Sequence, residues 1–528
     1  MNVSRTVFVC LLALLATGSP AAPLPIFETL VAREIADDGK LLQYYGSRGF
    51  RPIWTADSPE GHQRLSVLFE TLEAAPSHGL PYGQIQSDEL RSLLAAATTQ
   101  SRRAIAEVRA TRIYLTVAEA LAAGAINPKS VDSSISRTRP IPATEYLLDG
   151  LFTDDPASFV LQLAPMNANY AGLRKRLQRL EALLVNGGWG SKVDVREIGR
   201  DMSGQPVVQL RNRLIRMGYL RNSASTDYND ALMFAVKRFE VEHGLDPDGL
   251  ADRLTIEAIN VEPWERRQQV LAALERARWK NFPLGIQHVL VNLPDFRASI
   301  IRDGKPVFES RVVVGKTRPD LQTPEFSDVM THMIVNPTWW LPRSISTGEI
   351  LPKLKQDPMA EPQLVIFEPE TGNLISRTEL DFSEFTASNF PFEMRQPPGP
   401  DNALGRVKFM FPNKFNVYLH DTPWRALFER QMRSFSHGCI RVHRAHDLAR
   451  FLLGMQSDRP DTLFEVLLAT GDEFRIDLEE PLPLHITYQT VWVDHDGRTN
   501  FRTDIYGRDQ LIYGQLVKAG LDAGLLSN

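Results

Sequence analysis

Cysteine is scarce in this chain: Cys10 and Cys439 are the only two among 528 residues. Two cysteines cannot form a disulfide-stapled framework, and an exported protein that loses the first one keeps a single thiol without an intramolecular partner. A lone thiol of this kind is either an inert buried side chain or a reactive one. The residues around Cys439 therefore have to decide between these two interpretations.

An excess of positive charge is missing as well. The formal net charge is -5 at pH 7. A nucleic-acid-binding protein carries at least a basic patch, so we expect no nucleic-acid partner. A hydrophobic fraction of 43% and a charged fraction of 23% are ordinary for a globular protein. The length allows roughly two to four domains.

Hydrophobic runs of the roughly 20 residues needed to span a bilayer are also missing. The apolar stretch at the start runs from Val7 to Ala16; it follows Arg5 and precedes small residues and prolines. This pattern predicts a secretory signal peptide over residues 1–22, cleaved near Ala22. The alternative, a membrane anchor, requires a longer run, so we expect an exported protein with no stable membrane span after cleavage.

Helical periodicity dominates the region that precedes residue 204. Apolar residues recur at helical spacing, for example Leu65, Leu68 and Leu72, and segments containing proline and glycine separate these stretches. No group of charged residues here is arranged as a catalytic site. We therefore predict a helical scaffold domain over residues 23–203.

Residues 204–261 form a second, shorter unit in the sequence. Two apolar helical stripes are followed by the turn Gly244–Gly249 and by a last short helix. Since no catalytic residue set accompanies them, a binding role fits this compact unit better than an enzymatic one. Helical character resumes over residues 262–286.

Beyond residue 286 the pattern changes from helical to strand-like. Two short apolar runs flank turns and precede Asp303-Gly304, a dipeptide that favours a tight hairpin. Alternation continues to about residue 490, which predicts a mainly β domain and makes the chain a multidomain α+β protein. Residues 343–400 interrupt this domain with proline and charge. Such an insertion is either functional, for example a lid, or disordered.

The strongest chemical signal is the run Ser436-His437-Gly438-Cys439. A thiol is a weak nucleophile until it loses its proton, so a catalytic cysteine needs a neighbouring base or positive charge. Two imidazoles are available: His437 within the run, and His420 upstream on a predicted strand that could pair beside the cysteine. Gly438 lets the backbone approach a substrate closely, so the N–H groups of Gly438 and Cys439 could line an oxyanion hole.

A cysteine with histidines nearby also occurs in metal sites. Here the sequence lacks the second thiolate, the carboxylate cluster or the HExxH helix that such a site requires. His443 and His446 form only an incomplete pair of ligands, so we interpret them as structural. The sequence therefore predicts no metal and no cofactor.

The string Ser436-His437-Gly438-Cys439 with His420 upstream resembles the signature of the YkuD-type L,D-transpeptidases, in particular their large, scaffold-bearing Gram-negative members. The resemblance implies that Cys439 is the nucleophile that attacks a stem peptide between an L-centre and a D-centre, and that His420 is the general base. Asp421 is a candidate for the group that orients His420, with a backbone carbonyl as the alternative. His437 corresponds to a wall residue of the site.

The same resemblance implies a set of substrate-binding residues. Arg441 matches an arginine that meets a substrate carboxylate, for which a bidentate geometry is suited; a surface ion pair is the alternative. Aromatic side chains near the motif are either channel walls or core residues. The candidates are Arg441, Tyr418, Trp339, Trp340, Asn336 and Ser436.

More of the chain agrees with this subgroup than the motif alone. Residues Val335–Pro342 resemble the strand and turn that precede its lid. The resulting assignment is a scaffold at 23–203, a three-helix peptidoglycan-binding module at 204–261, a scaffold helix at 262–286, a catalytic domain at 287–480 with a lid at about 343–400, and a C-terminal extension at 481–528.

The resemblance implies a periplasmic enzyme that forms 3→3 peptidoglycan crosslinks through a cysteine thioester and is a target of carbapenems. Stem peptides and glycan are its implied partners, and other cell-wall synthases are candidates. The same residues would serve an L,D-carboxypeptidase or an enzyme that attaches proteins to the wall. A wall-binding protein with a decayed site is a further alternative, against which the presence of Cys439, His420 and Gly438 argues.

Overall fold

The computed structural model describes residues 25–521, so the predicted signal peptide at 1–22 lies outside the described residues. The described chain divides into two compact units. The first comprises the residues up to Glu73 with Gln84–Val117 and Ala143–Phe159, and the second comprises Ala74–Gly83, Ala118–Pro142 and the residues from Val160 onward. Between residues 25 and 521, no helix combines the length and the apolar composition required to cross a membrane.

The first unit is helical, and a buried carboxylate fixes one of its loops. Glu107 is fully buried and accepts hydrogen bonds from the backbone N–H groups of Ile53 at 2.6 Å and Thr55 at 2.9 Å. A buried N–H without an acceptor is costly, which explains a carboxylate in this core. The helices up to residue 185 are α1 (Ile26–Glu34), α2 (Gly39–Ser47), α3 (Pro59–Ala74), α4 (Gln84–Ala95), α5 (Gln100–Ala123), α6 (Pro128–Val131), α7 (Thr144–Asp149), α8 (Pro156–Leu163) and α9 (Ala168–Val185).

Three helices in the second unit surround a small apolar core of their own: α10 (Gln205–Met217), α11 (Asp230–His243) and α12 (Arg253–Ile259). The predicted apolar stripes are buried there, as expected. Asn229 and Asp252 cap the starts of α11 and α12, and Gly218 and Gly244 end α10 and α11 in the left-handed conformation.

The predicted helix over residues 262–286 is observed as α13 (Pro263–Trp279). Its buried side includes charged residues as well as leucines. Arg278 pairs with Glu275 at 2.6 Å, and Arg276 pairs with Asp509 from the end of the chain. Buried ions of this kind are tolerated only when they are paired, so α13 and the C-terminal segment depend on each other.

The strands follow the helical regions, beginning at residue 287. They are β1 (Gln287–Asn292), β2 (Arg297–Arg302), β3 (Lys305–Gly315), β4 (Phe326–Val335), β5 (Trp339–Trp340), β6 (Val365–Phe367), β7 (Leu374–Ile375), β8 (Glu393–Gln396), β9 (Val407–Met410), β10 (Leu419–His420), β11 (Ser434–Ser436), β12 (Ile440–Val442), β13 (Phe474–Thr487), β14 (Val491–Val493) and β15 (Thr499–Phe501). The predicted Asp303-Gly304 hairpin joins β2 to β3, with a positive φ at both residues.

Nine strands form one sheet in the order β11-β3-β12-β10-β9-β4-β13-β1-β2, and β2 also pairs with β3. That additional pairing closes the strands from β3 to β2 into a barrel, with β11 attached at its edge. The barrel interior is apolar and includes Leu419, Ile440 and Val442, all fully buried. Each such side chain contributes about 1.5–3 kcal/mol through burial, which fixes β10 and β12 beside each other.

Residues 343–400, which we term the insertion, form an ordered subdomain. Strands β5, β8, β6 and β7 make a separate sheet in that order. Helices α14 (Arg343–Ile345) and α15 (Leu351–Gln356) flank the π-helical turn Ser346–Ile350. A separate core, which includes Leu354, Ile366 and Phe390, accounts for order in a segment whose composition also allowed disorder.

The end of the barrel differs from the predicted boundary at residue 480. Strand β13 runs across it and pairs with β1 through Leu484–Thr487. Pro481 and Pro483 make this strand hard to predict from the sequence. An irregularity between Asp477 and Leu482 accommodates Pro481, and Pro483 follows it opposite Val329. The remaining helices are α16 (Ala445–Leu453), α17 (Pro460–Thr470) and α18 (Arg508–Lys518).

Candidate active site

Strands β10 and β12 lie side by side and parallel, with His420 opposite Arg441. Leu419 and Ile440 point into the barrel core. Because side chains alternate along a strand, the residues on either side of each of them point outward. One residue earlier on each strand, the same register places Cys439 beside Tyr418. We term the outward surface the β10–β12 face; it carries Tyr418, His420, Cys439 and Arg441.

The Cys439 thiol is partly accessible and is held by Tyr418. Both the hydroxyl and the backbone N–H of Tyr418 hydrogen-bond to the sulfur, and the thiol lies 3.6 Å from the carbonyl oxygen of Asn416. Burial raises the pKa of the Cys439 thiol, while the Tyr418 hydrogen bonds and the charge of Arg441 act in the opposite direction. The raised pKa keeps the resting group protonated, so attack by sulfur requires a base.

Tyr418 is positioned as a hydrogen-bond donor to that sulfur. Burial, together with the neighbouring Cys439, raises the pKa of its hydroxyl well above the ordinary value, so the hydroxyl stays protonated. Trp339 also hydrogen-bonds to Tyr418. An indole N–H can only donate, so the hydrogen bonds run from Trp339 to Tyr418 and from Tyr418 to Cys439.

His420 is the base nearest to this thiol in the strand register. It is 4% exposed, and its Nδ1 lies 2.6 Å from the backbone carbonyl oxygen of Asp421. A carbonyl only accepts, so Nδ1 carries the proton and Nε2 keeps its lone pair. Burial and then the charge of Arg441 lower the pKa of His420 to about 3, so the imidazole is neutral at neutral pH. The backbone of Leu404 also hydrogen-bonds to this ring. With the proton on Nδ1, a neutral imidazole has Nε2 as its remaining site for accepting the thiol proton.

The carboxylate of Asp421 does not perform the orienting role that the sequence allowed for it. Its oxygens accept from the backbone N–H of Arg406 at 3.0 Å and pair with Arg425 at 3.0 Å and His446 at 3.4 Å. The side chain therefore points away from the imidazole of His420, since successive residues of an extended segment face opposite ways. Of the two alternatives from the sequence, the backbone carbonyl is the one observed.

Arg441 has no carboxylate partner among the described residues. Its guanidinium lies over the Trp424 ring at 4.7 Å, and its buried Nε finds no acceptor between residues 25 and 521. Burial lowers the pKa of Arg441 to about 10, so it remains charged. A buried, charged and incompletely hydrogen-bonded guanidinium is suited to bind a carboxylate from outside the chain.

Three family models match the chain. The model described as “L,D-transpeptidase catalytic domain” covers residues 286–472 and therefore the whole β10–β12 face. The chain carries a YkuD-type L,D-transpeptidase catalytic domain. The other two models, “Scaffold domain” and “Putative peptidoglycan binding domain”, cover residues 39–177 and 203–259. Together the three matches relate the protein to the cell wall.

A curated relative agrees with this assignment over part of its length. A Haemophilus influenzae protein named “Putative L,D-transpeptidase” is 34% identical over 245 residues, which is 46% of this chain. The match spans 48% of that protein, about half of its length.

Two solved L,D-transpeptidase structures are more distant. The one from Xylanimonas cellulosilytica, residues 123–326, is 13% identical, with 56% of this chain and 100% of that chain covered and a TM-score of 0.17. The one from Stackebrandtia nassauensis is 14% identical, with 56% and 97% covered and a TM-score of 0.22. Superpositions at this level add nothing to the family matches.

The loop that carries Cys439 is shaped by Ser436 and Gly438. Gly438 has φ of 112°, a conformation that other residues rarely adopt. Its N–H donates to the Ser436 hydroxyl at 3.2 Å, and that hydroxyl donates to the carbonyl of Cys439. Ser436, 2% exposed, thus shapes the loop and is not placed to bind substrate, contrary to the sequence assignment. The Gly438 N–H is occupied, whereas the Cys439 N–H meets no acceptor within the described chain.

His437 points toward the insertion of the transpeptidase domain. Its Nε2 lies 2.5 Å from a carboxylate oxygen of Glu349, in the π-helical turn. Asp320 is also close enough for the charge of His437 to lower the pKa of that carboxyl, although Arg318 has the larger effect. The predicted wall residue therefore contacts the insertion instead of the Cys439 sulfur.

The two predicted tryptophans separate in the structure. Trp339 faces Tyr418, whereas Trp340 is 49% exposed and contacts Phe367 edge-on at 5.2 Å and Arg395 at 5.4 Å. Both lie in β5, where adjacent side chains point in opposite directions. Trp340, just before the insertion, is thus half exposed and packs against the insertion at Phe367, and its assignment to a substrate channel stays a prediction.

Asn336 is structural, in contrast to the sequence assignment. It is 1% exposed, and its side-chain amide donates to the backbone carbonyls of Leu467, Leu468 and Asp472. Its Oδ1 accepts from Arg406 at 2.9 Å. With every polar atom of the amide bonded internally, Asn336 fixes the end of β4 against the loop after α17 and has no capacity for a ligand.

His443 and His446 agree with their structural interpretation. His446 pairs with Asp421, and the His443 ring lies 4.8 Å from that of Phe428. In the part of the chain that is described, no group of three or more histidine, cysteine or acidic side chains is arranged to hold a metal. Sequence reasoning missed Glu349, Trp424 and Thr323, which no local pattern distinguishes from ordinary loop residues.

Proposed function

We propose that this protein is a cysteine L,D-transpeptidase that forms 3→3 crosslinks between peptidoglycan stem peptides. The observation that carries the proposal is the β10–β12 face, which brings together the one cysteine thiol of residues 25–521, a neutral imidazole and a guanidinium without an acidic partner in that range. Nucleophile, base and anion-binding group are the parts that acyl transfer from a peptide donor requires.

In the first step His420 Nε2 takes the proton of Cys439 as sulfur attacks the carbonyl carbon between the L-centre and the D-centre. A carbon–sulfur bond forms, and the electron pair of the carbonyl moves to oxygen. When the carbon–nitrogen bond breaks, the departing amine of the D-residue takes the proton back from His420. The product is a thioester on Cys439.

In the second step an amine of a neighbouring stem peptide attacks the thioester. His420 accepts the proton of this amine, and the Cys439 sulfur leaves and is reprotonated from His420. For a Gram-negative wall the acceptor is the side-chain amine of meso-diaminopimelate, which gives the 3→3 linkage. The pair of steps consumes no cofactor.

We assign three supporting roles around the reacting carbon. The N–H of Cys439, which meets no acceptor among residues 25–521, donates to the developing oxyanion. Arg441 holds a carboxylate of the donor stem, because its guanidinium is charged and lacks an acidic partner in the described chain. The insertion, linked to the site through Glu349 and His437, excludes water as a lid.

The remaining regions fit a protein of the cell wall. The three-helix module around α10 to α12 binds glycan, the region over 23–203 acts as a scaffold, and the protein works in the periplasm after removal of residues 1–22. The acceptor that attacks the thioester decides between crosslinking by an amine, hydrolysis by water and attachment of a protein.

Covalent labelling tests the nucleophile. Incubation with a carbapenem followed by intact-mass spectrometry should add one β-lactam mass to the wild-type chain, and Cys439→Ala should abolish the adduct. His420→Gln should slow adduct formation by about 10²–10⁴-fold, the usual contribution of a general base. A wild-type chain that stays unmodified would contradict a catalytic role for Cys439.

Product analysis tests the acceptor. Purified sacculi incubated with the protein should gain 3→3 crosslinked muropeptide dimers. Accumulation of tripeptides without dimers would instead identify a carboxypeptidase. If sacculi incubated with wild-type protein gained neither product, a wall-binding protein would be favoured. Cys439→Ala is the matched control for both products.

A further inference from the structure

A fully buried threonine holds the carbonyl that precedes the nucleophile. The hydroxyl of Thr323 donates to the backbone oxygen of Gly438 at 2.8 Å and accepts from the N–H of Gly315 at 2.9 Å. The Thr323 hydroxyl thus joins the end of β3 to the Cys439 loop through one hydrogen bond that it accepts and one that it donates. A Cβ at Gly315 would lie 2.6 Å from the nitrogen of Thr323, so only glycine at this position lets the two segments approach so closely.

Thr323 is itself held by residues from the end of the chain. The Tyr506 hydroxyl donates to the carbonyl of Gly315 at 2.7 Å and accepts from the Thr323 N–H at 3.4 Å. Arg508, fully buried, donates to the Thr323 carbonyl at 3.0 Å and pairs with Glu325 at 3.2 Å. The backbone N–H, the carbonyl and the hydroxyl of Thr323 are thus all fixed.

The Gly438 carbonyl matters because it shares a peptide plane with the N–H of Cys439. In a trans peptide the C=O and the N–H point in opposite directions, so fixing one fixes the other. Gly438 has φ of 112° and no side chain to hinder rotation, so this peptide unit can flip at little steric cost. The hydrogen bond from Thr323 opposes such a flip.

We propose that Thr323 is a positioning residue which, supported by Tyr506 and Arg508 of the C-terminal segment, aims the Cys439 N–H at the substrate oxyanion. The inference rests on the proposed transpeptidase function and adds to it a requirement for residues beyond 472, where the catalytic family match ends. The C-terminal segment is then part of the active-site support and not an appendage.

Two reactions of the Cys439 sulfur distinguish a positioning role of Thr323 from a general loss of stability. Acylation by a carbapenem develops an oxyanion, whereas alkylation by iodoacetamide does not. Thr323→Val keeps the shape but removes the hydroxyl, and should slow acylation by at least about 10-fold, up to the 10²–10³-fold typical of a lost oxyanion donor, while alkylation stays within about twofold. Thr323→Ser keeps the hydroxyl and should restore acylation to within about threefold of wild type.

Tyr506→Phe provides a second variant, should Thr323→Val fail to fold. Loss of its hydroxyl should slow acylation by about 3- to 10-fold with unchanged alkylation, since Thr323 keeps its other bonds. Tyr44→Phe, which removes a tyrosine hydroxyl bonded to Asp149 in the first unit, is the matched control and should react as wild type.

The outcomes are separable. Wild-type acylation rates in both Thr323→Val and Tyr506→Phe would overturn the positioning role while leaving the proposed function intact. Equal losses of acylation and alkylation would also overturn it, because they would indicate general damage to the loop. A wild-type chain without a carbapenem adduct would overturn the proposed function, and this inference with it.

Discussion

The Nδ1 of His420 lies 2.6 Å from the backbone carbonyl oxygen of Asp421, the next residue in the chain. A local carbonyl is fixed by the strand itself and selects the tautomer. Burial and the charge of Arg441 lower the pKa of His420 by more than the hydrogen bond to this carbonyl raises it. The neutral, buried imidazole is consistent with a pKa lowered to about 3.

Asp421→Asn tests whether the carboxylate takes part in the chemistry. The amide oxygen can still accept from the Arg406 N–H, and the backbone carbonyl that holds His420 is unchanged. We expect carbapenem acylation within about threefold of wild type and a loss of about 1 kcal/mol in stability from the broken pairs with Arg425 and His446. Acylation kinetics and urea unfolding measure these two quantities. A loss of acylation as large as that of His420→Gln would contradict the assignment.

Tyr418→Phe tests the hydrogen bond to sulfur. Without the hydroxyl donor the pKa of the Cys439 thiol should rise, because that hydrogen bond lowers it in the wild type. The upward shift would slow alkylation by iodoacetamide at pH 7 and move its pH profile to higher pH. Peptide mapping confirms that the label is on Cys439. An unchanged profile would mean that the Tyr418 hydroxyl does not bond to the sulfur in solution.

Arg441→Lys tests carboxylate recognition. Lysine keeps the positive charge but loses the planar fork that binds a carboxylate through two N–H groups. We expect KM for a tetrapeptide donor to rise about 10-fold or more, with kcat changed much less. Arg444→Lys, at an exposed pair with Asp447, is the matched control and should leave both constants unchanged. A variant with unchanged KM would remove Arg441 from the binding site.

Glu349→Gln tests the link between the insertion and His437. Loss of this partly exposed pair should weaken closure of the insertion by about 0.2–1 kcal/mol. Hydrogen exchange in peptides that cover α15 should then become up to about fivefold faster. Glu370→Gln changes an exposed carboxylate of the same insertion and should leave exchange as it is. Equal exchange rates in all three proteins would indicate that closure does not depend on Glu349.

His485 predicts acid sensitivity of the barrel. Its Nε2 donates to the Leu284 carbonyl and its Nδ1 accepts from Ser327, and burial lowers its pKa from 6.5 to about 4. Between these two values the unfolded chain binds the extra proton, so stability is full above pH 6.5 and falls as the pH drops toward 4.

Between pH 7 and pH 5 this histidine alone should lower the free energy of unfolding by about 2 kcal/mol. His485→Gln should show a correspondingly smaller loss between the two pH values, measured by chemical unfolding. His495→Gln, at an exposed imidazole, should retain the wild-type pH dependence. Equal pH dependence in wild type and His485→Gln would contradict the prediction.

Local patterns were sufficient for the helices and the hairpin, and they single out Cys439 as the candidate nucleophile. The stripes of α10 and α11 follow from apolar residues at helical spacing, and Asp303-Gly304 follows from the need for two positive φ values in a tight turn. Cys439 could be identified as a candidate nucleophile because it follows a glycine and a histidine in one short run of residues. Each of these features depends on neighbours in the sequence.

Contacts between distant segments could not be read in this way. Trp339 and Trp340 have the same side chain, and only the pairing of β5 with β8 decides which one faces Tyr418. The sequence left both a carboxylate and a carbonyl as partners for His420. The direction of the strand at Asp421 selects the carbonyl, because the carboxylate is drawn to Arg425 and His446.

The sequence by itself singled out Cys439 as the candidate thiol nucleophile, because a catalytic thiol needs a neighbouring base and histidines lie close by in the chain. The resemblance to the YkuD-type signature implied His420 as that base. Only the tertiary structure decided what supports them. Closure of the barrel brings Thr323 and Tyr506 to the loop at Gly438 from far along the chain. Hydrogen bonds act over about 3 Å in space and are indifferent to separation in sequence, so such a support is invisible until the strands are paired.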